Sequence, residues 1–183
     1  GPGVKQYQQT GLWALVGLGG NPKFKQDKGE KLYRRSIYTY FKRSAPAPRL
    51  QIFDAPTREI CTMKRPRTNT PLQALVTLND PVYVEAAQAL SRRMAVADDS
   101  IDGRLRFAFH ECLIREPTDA ELGRLRDLVR SVRDRYRSKP DEAMRMATDP
   151  IGELPAGADP IEMAALTVVA NVILNLDEMF MKR

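Results

Sequence analysis

The signal that most limits the possible folds is a helix-start pattern that recurs along the chain. Thr70-Pro71-Leu72-Gln73, Asp80-Pro81, Thr118-Asp119-Ala120-Glu121 and Asp159-Pro160-Ile161-Glu162 each place an oxygen-bearing side chain before a first helical turn. Proline at the first helical position has no N–H to leave unpaired, and Gln or Glu at the third position can reach back to the cap residue. Ser100 supplies a further cap. Between these starts the apolar residues recur at helical spacing. A helix is expected over 71–78. A second follows from Pro81, with Tyr83, Ala86, Ala87, Leu90 and Met94 facing inward, and a third has Ile101, Leu105, Ala108, Phe109 and Cys112 inward. The Thr118 box opens a helix with Leu122, Leu125, Val129, Val132 and Tyr136 inward, and a short helix is expected over 140–147. The last helix is expected from Pro160 to about Met181, apolar almost all round and therefore the buried centre of a bundle. No strand-like alternation competes, so the expected fold is all-α, about six helices.

The first part of the chain reads differently. Residues 1–27 hold six of the eleven glycines and are expected to form an extended arm pinned by Trp13. Residues 28–183 are then a single helical domain, in which 28–69 is strapped onto the 70–183 bundle. Leu32, Tyr33, Ile37, Tyr40 and Phe41 fit one helical face, predicting a helix over 28–43. Residues 44–69 are expected to form a long, basic, mostly irregular connection. Charge follows the same division: residues 1–70 carry 14 Lys+Arg against 4 Asp+Glu, and 71–183 carry 15 against 19. The net charge of +6 is thus a sum of opposite halves and not a general affinity for polyanions. At 183 residues the chain can bury a core without a disulfide or metal staple. The longest apolar stretch, Met163–Leu176, is too short for a membrane span and is interrupted by Thr167, Asn171 and Asn175.

Chemistry-bearing motifs are few. Cys61 and Cys112 are isolated thiols that match no metal quartet, redox pair or haem-attachment motif. Cys112 reads as a small core residue; Cys61 lies in a basic neighbourhood that could lower a thiol pKa. His110, the sole histidine, has no nucleophile at meaningful spacing. Arg124, Arg126, Arg130, Arg133, Arg135 and Arg137 alternate with Asp127 and Asp134, the pattern of a solvated face, so no nucleic-acid partner is expected. The more specific tract is Arg58 to Thr70, which runs into a helix N-terminus. Arg58, Arg65, Arg67, Thr68, Asn69 and Thr70 could hold an anion such as a sulfated or acidic polysaccharide group. Alternatively the arginines pair with internal carboxylates such as Asp54, Asp80, Asp177 or Glu178 and hold the connection in place. Asp54, Asn79, Asp80, Asn171, Asn175 and Asp177 are read as a structural polar clamp. No catalytic or metal-ligating residue is expected.

Several long motifs resemble a known family. They are Gly29 to Arg43, Phe53-Asp54-Ala55-Pro56-Thr57-Arg58-Glu59-Ile60-Cys61-Thr62, Arg67 to Leu75, Leu78-Asn79-Asp80-Pro81 and Val169 to Glu178. Together with Gly11-Leu12-Trp13 they resemble the planctomycete-specific C-terminal domain of unknown function called PSD-one. The chain departs from the family pattern at Gln8-Gln9-Thr10 and at His110-Glu111-Cys112. The resemblance implies the end of a large exported bacterial protein, periplasmic or at the cell surface, with a cytochrome-c-like domain upstream. Any haem belongs to that upstream part and none to this domain. The opening Gly1-Pro2-Gly3-Val4, without an initiator Met or export signal, reads as a piece of something longer. The expected function is non-catalytic interaction or assembly with upstream domains of the same protein. The alternatives are acidic-polysaccharide binding and a share in a composite active site completed upstream.

Overall fold

A computed structural model of the chain describes residues 2–8, 11–13, 24–42, 44–64 and 68–181. It divides into two compact units, Gly1–Thr68 and Asn69–Arg183. Among the described residues there are eight α-helices, and the sole β-type pairing is an isolated bridge between Val4 and Thr39.

The second unit is the expected helical bundle. Its helices are α2 (Pro71–Asn79), α3 (Pro81–Ala97), α4 (Ile101–Leu113), α5 (Asp119–Arg137), α6 (Pro140–Thr148), α7 (Pro160–Leu174) and α8 (Asp177–Phe180); α1 (Pro48–Ile52) belongs to the first unit. The start signals act as read. Thr70 accepts from the Gln73 N–H while Gln73 accepts from the Thr70 N–H, and Thr118 with Glu121 repeats the arrangement. Asp80, Ser100 and Asp159 cap α3, α4 and α7 through their side chains. Every residue predicted inward on α5 is buried.

Helix α7 lies at the centre and packs against α2, α3, α4, α5 and α6. Met163, Ala164, Ala165, Leu166, Thr167, Val169, Ala170 and Ile173 are buried along it. Small residues at the contacts, among them Ala87, Ala108, Ala143, Ala147 and Ala164, let neighbouring backbones approach closely.

The remaining differences within this unit have local causes. Helix α7 ends at Leu174 and not near Met181. The Asn175 N–H accepts the role of last-turn donor to Asn171 and Val172, its side-chain oxygen accepts from the Thr77 hydroxyl, and the chain restarts as α8. Ala86 is exposed, and the inward face of α3 instead carries Glu85, Gln88 and Ser91 beside Ala87, Leu90 and Met94. Glu162 does not close a capping box. It accepts from Arg104 on α4 at 2.9 Å and, through both oxygens, from Arg133 on α5 at 2.6 Å, so charge-assisted bonds to two other helices take precedence over the local cap.

Arg115, in the α4–α5 connection, joins the start of α5 to α8. It donates to Glu121 at 2.7 and 3.0 Å and to Glu178 at 2.8 Å. Hydrogen bonds from Arg115, then from the Thr118 backbone, hold the Glu121 carboxyl well below the usual carboxylate range, at about 2. A depressed folded-state pKa contributes stability that is full above the unfolded value of about 4.3 and is lost as pH falls toward 2. The urea midpoint of the wild type should therefore drop more steeply between pH 5 and pH 2.5 than that of Glu121→Gln. Parallel curves would remove Glu121 from the account.

The first unit is assembled differently from the expectation. Among the described residues no α-helix runs through 28–42; Gly29–Tyr33 and Ser36–Tyr38 are short 3-10 turns, and Tyr33, Ile37 and Tyr40 are exposed, in place of the helix expected over 28–43. After the second turn, Thr39 takes extended backbone, which the β-branched and aromatic residues Thr39 to Phe41 suit. Val4 exploits this: its N–H donates to the Tyr38 carbonyl at 2.7 Å and its carbonyl accepts from the Tyr40 N–H at 2.8 Å. Gln6 reinforces the pairing by donating to the carbonyls of Leu32 and Arg34 and accepting from Thr39 and Arg49. Arg49, on α1, also donates to the Tyr7 carbonyl at 2.9 Å. Helix α1 itself lies inside the stretch expected to be irregular, opened by Pro48.

Candidate functional site

The residues of the predicted anion site are distributed among separate local contacts. Arg58 is exposed, takes φ +63°, and holds its guanidinium 4.7 Å from the Phe41 ring centroid. Arg65 and Arg67 lie outside the described residues. Thr68 donates its N–H at 3.2 Å and its hydroxyl at 2.6 Å to Asp54, itself at φ +57°. Asn69 donates to Asp177 at the start of α8. At the start of α2 the Thr70 N–H goes to the Gln73 side chain, Pro71 has no N–H, the Gln73 N–H goes to Thr70 Oγ1, and the Ala74 N–H goes to the Thr70 carbonyl. Of the first-turn N–H groups only that of Leu72 remains for a ligand among the described residues.

The residues read as a clamp form several short links. Asn175 joins α7 to α2 through Thr77, and Asn171 donates to the Leu78 carbonyl at 3.2 Å. Asn79 donates to the Leu75 carbonyl one turn back at 2.8 Å, and Asp80 caps α3. Asp54 serves Thr68, and Asp177 serves Asn69.

These links leave α2 with an unusual orientation. Its buried face is polar, with Gln73 4% and Thr77 1% exposed, and its outward face is apolar, with Leu72 53%, Leu75 57% and Leu78 41% exposed. Polar residues normally face water on a surface helix. Here Thr77 turns inward because its hydroxyl meets Asn175 of α7, while Gln73, buried on the same side, closes the cap of its own helix. The leucines, spaced three apart, are turned outward together.

Among the described residues no group of three His, Cys, Asp or Glu could hold a metal ion, and no helix is long and apolar enough to cross a membrane. Cys61 is exposed and Cys112 half-buried; both are free, and burial, followed by the charge of Glu111, raises the Cys112 thiol pKa. His110 is exposed on α4. A cleft of about 60 Å³ in the first unit is lined by Phe41, Pro46, Leu50, Gln51, Ala55, Pro56, Thr57 and Glu59. An open groove of about 650 Å³ in the second unit is lined by Cys112, Leu113, Ile114, Leu176, Asp177, Glu178 and Met181.

Gln6 and Gln88, which carry no local motif, and Glu162, which the sequence presents only as a local cap partner, each join segments far apart in the chain.

No curated protein matches the chain, and no solved structure does. One family model matches residues 1–129, from the paired arm through the outward leucines of α2 and into α5; the Val169–Glu178 stretch lies beyond it. The matched part exceeds half of the chain, and the chain therefore belongs to the PSD1 family, proteins of unknown function (DUF1553).

Proposed function

We propose that this chain is a non-catalytic interaction domain that docks onto other domains of a larger exported bacterial protein, of which it forms the C-terminal part. The observation that carries the reading is the outward apolar face of α2. Three half-exposed leucines on one helix are a recognition pattern for an apolar groove or a second helix. Their exposure goes with the Thr77–Asn175 hydrogen bond on the opposite, buried side of the helix, so the face is built into the helix. Any haem in such an assembly belongs to a partner domain. The polysaccharide alternative at Arg58 and the start of α2 has less to work with, since Thr68, Asn69 and Thr70 already donate within the chain.

Fully burying a leucine contributes about 1.5–3 kcal/mol, so completing the burial of two half-exposed ones contributes about 2 kcal/mol. Asp at both positions also brings charge into an apolar contact. Leu72→Asp/Leu75→Asp should thus weaken binding to the remainder of the parent protein at least 30-fold by calorimetry, with the thermal midpoint of the chain little changed. Equal binding by variant and wild type, or no binding by the wild type, would overturn the reading.

A further inference from the structure

In the first unit two lysines converge on the chain's sole tryptophan. Lys5 Nζ lies 5.4 Å from the Trp13 ring centroid and 5.6 Å from that of Tyr40, and Lys42 Nζ lies 4.9 Å from Trp13. Phe24 meets the indole edge-on at 5.2 Å, and Tyr40 lies tilted against it at 5.6 Å. Trp13 is only 8% exposed, yet its Nε1–H has no hydrogen-bond partner among the described residues. Gln8 Nε2 is a second buried donor of this unit without one among them. Buried donors are paired in the great majority of cases, so an orphan indole N–H calls for a ligand or another explanation.

The two ammonium groups are also without a counter-charge among the described residues. The acidic side chain nearest in the chain's contacts, Asp27, accepts the Lys5 backbone N–H at 2.7 Å and lies 3.8 Å from the Lys31 ammonium. Contact with aromatic rings attracts an ammonium but leaves its positive charge in place.

We propose that Lys5, Trp13 and Lys42 form an oxyanion site, whose ligand is a sulfate, phosphate or carboxylate group. The indole N–H donates one hydrogen bond to it, and the two ammonium groups supply charge-assisted bonds. With the ammonium groups 5.4 Å and 4.9 Å from the indole ring centroid, the cluster suits a ligand the size of one oxyanion, held by bonds of about 2.9 Å. With cations already over the indole, the group presented to a ligand is positive charge and a donor, not an open ring on which a nucleobase could stack. The excess of 14 Lys+Arg over 4 Asp+Glu in residues 1–70 draws anions toward this part of the chain. The site is independent of α2 and its docking face.

Because Trp13 is the sole tryptophan, its fluorescence reads the site directly. The whole chain is titrated with sodium sulfate, sodium phosphate and sodium acetate at ionic strength held constant with sodium chloride. The expected result is a saturable change in Trp13 emission with at least one oxyanion and none with chloride. Kd should rise at least fivefold in Lys5→Gln/Lys42→Gln and return toward wild type in Lys5→Arg/Lys42→Arg. A sulfated oligosaccharide binding at least tenfold more tightly than inorganic sulfate would identify a polymer-borne group, and equal affinity a free ion; either supports the site. Absence of a saturable wild-type response, or the same Kd in the Gln variant, overturns it. If the Gln variant loses its near-ultraviolet circular dichroism, the wild-type titration alone decides. Leu72→Asp/Leu75→Asp should leave the titration unchanged, which separates failure of this site from failure of the docking face.

Discussion

Gln88→Leu should lower the unfolding free energy of the second unit by about 3–5 kcal/mol, measured by urea denaturation. Gln88 is fully buried on the inward face of α3. Its amide donates to the Met146 carbonyl at 2.7 Å and the Asp149 carbonyl at 2.8 Å, and its oxygen accepts the Ile151 N–H at 3.1 Å. One side chain thereby satisfies the end of α6 and the connection toward α7. Leucine nearly matches the volume and removes all three bonds, leaving two carbonyls and one N–H facing an apolar group. Each such group costs about 1–3 kcal/mol when it cannot reach water. Partial hydration of the connection sets the lower end of the range. Arg92, which donates to the Gly152 and Glu153 carbonyls from outside, reinforces the same connection but is no substitute. A loss below 1 kcal/mol would mean that the connection rearranges freely and that Gln88 does not position it.

Glu162→Ala should be the second large effect, with a loss of about 2 kcal/mol. The Glu162 carboxylate links α7 to α4 through Arg104 and to α5 through the two-pronged contact with Arg133. The three side chains are 23%, 18% and 34% exposed, between the surface pairs worth up to about 1 kcal/mol and the buried pairs whose disruption costs about 3–5. Removing Glu162 leaves two guanidinium groups near each other without their shared counter-charge. Asp102→Ala is the matched comparison: it breaks an equally short, two-pronged contact with Arg126, but one whose partners are 44% and 41% exposed. Its expected cost is clearly smaller than that of Glu162→Ala, because solvent screens the exposed pair. Equal losses in the two variants would show that burial does not set the difference.

The legible part of the fold was the part with local causes. A Thr or Asp cap, a proline and a Gln or Glu at the third position all lie within four residues, so α2, α3, α5 and α7 begin where their sequences say. The α5 core face follows from spacing alone. What escaped depends on partners distant in the chain. Thr39 to Phe41 suits a strand although Tyr40 and Phe41 fit helical spacing, and only pairing with Val4 decides for extended backbone. Asn175 ends α7 because Thr77, 98 residues away, holds its side chain. Glu162 has the position of a cap partner, but two arginines on other helices claim it. The docking face was half legible: Leu72, Leu75 and Leu78 are visibly on one side, and Gln73 and Thr77 on the other. Periodicity divides the faces without saying which is inside, and apolar-inside is the usual outcome. Here the polar side has the partners.

The docking account is tested most directly by placing a photo-activated cross-linking residue at position 75, with the exposed position 86 on α3 as the control. Irradiation in the presence of the remainder of the parent protein should give an adduct from position 75 and little or none from position 86. Adducts of equal yield from both positions, or none from position 75, would contradict an α2 docking face.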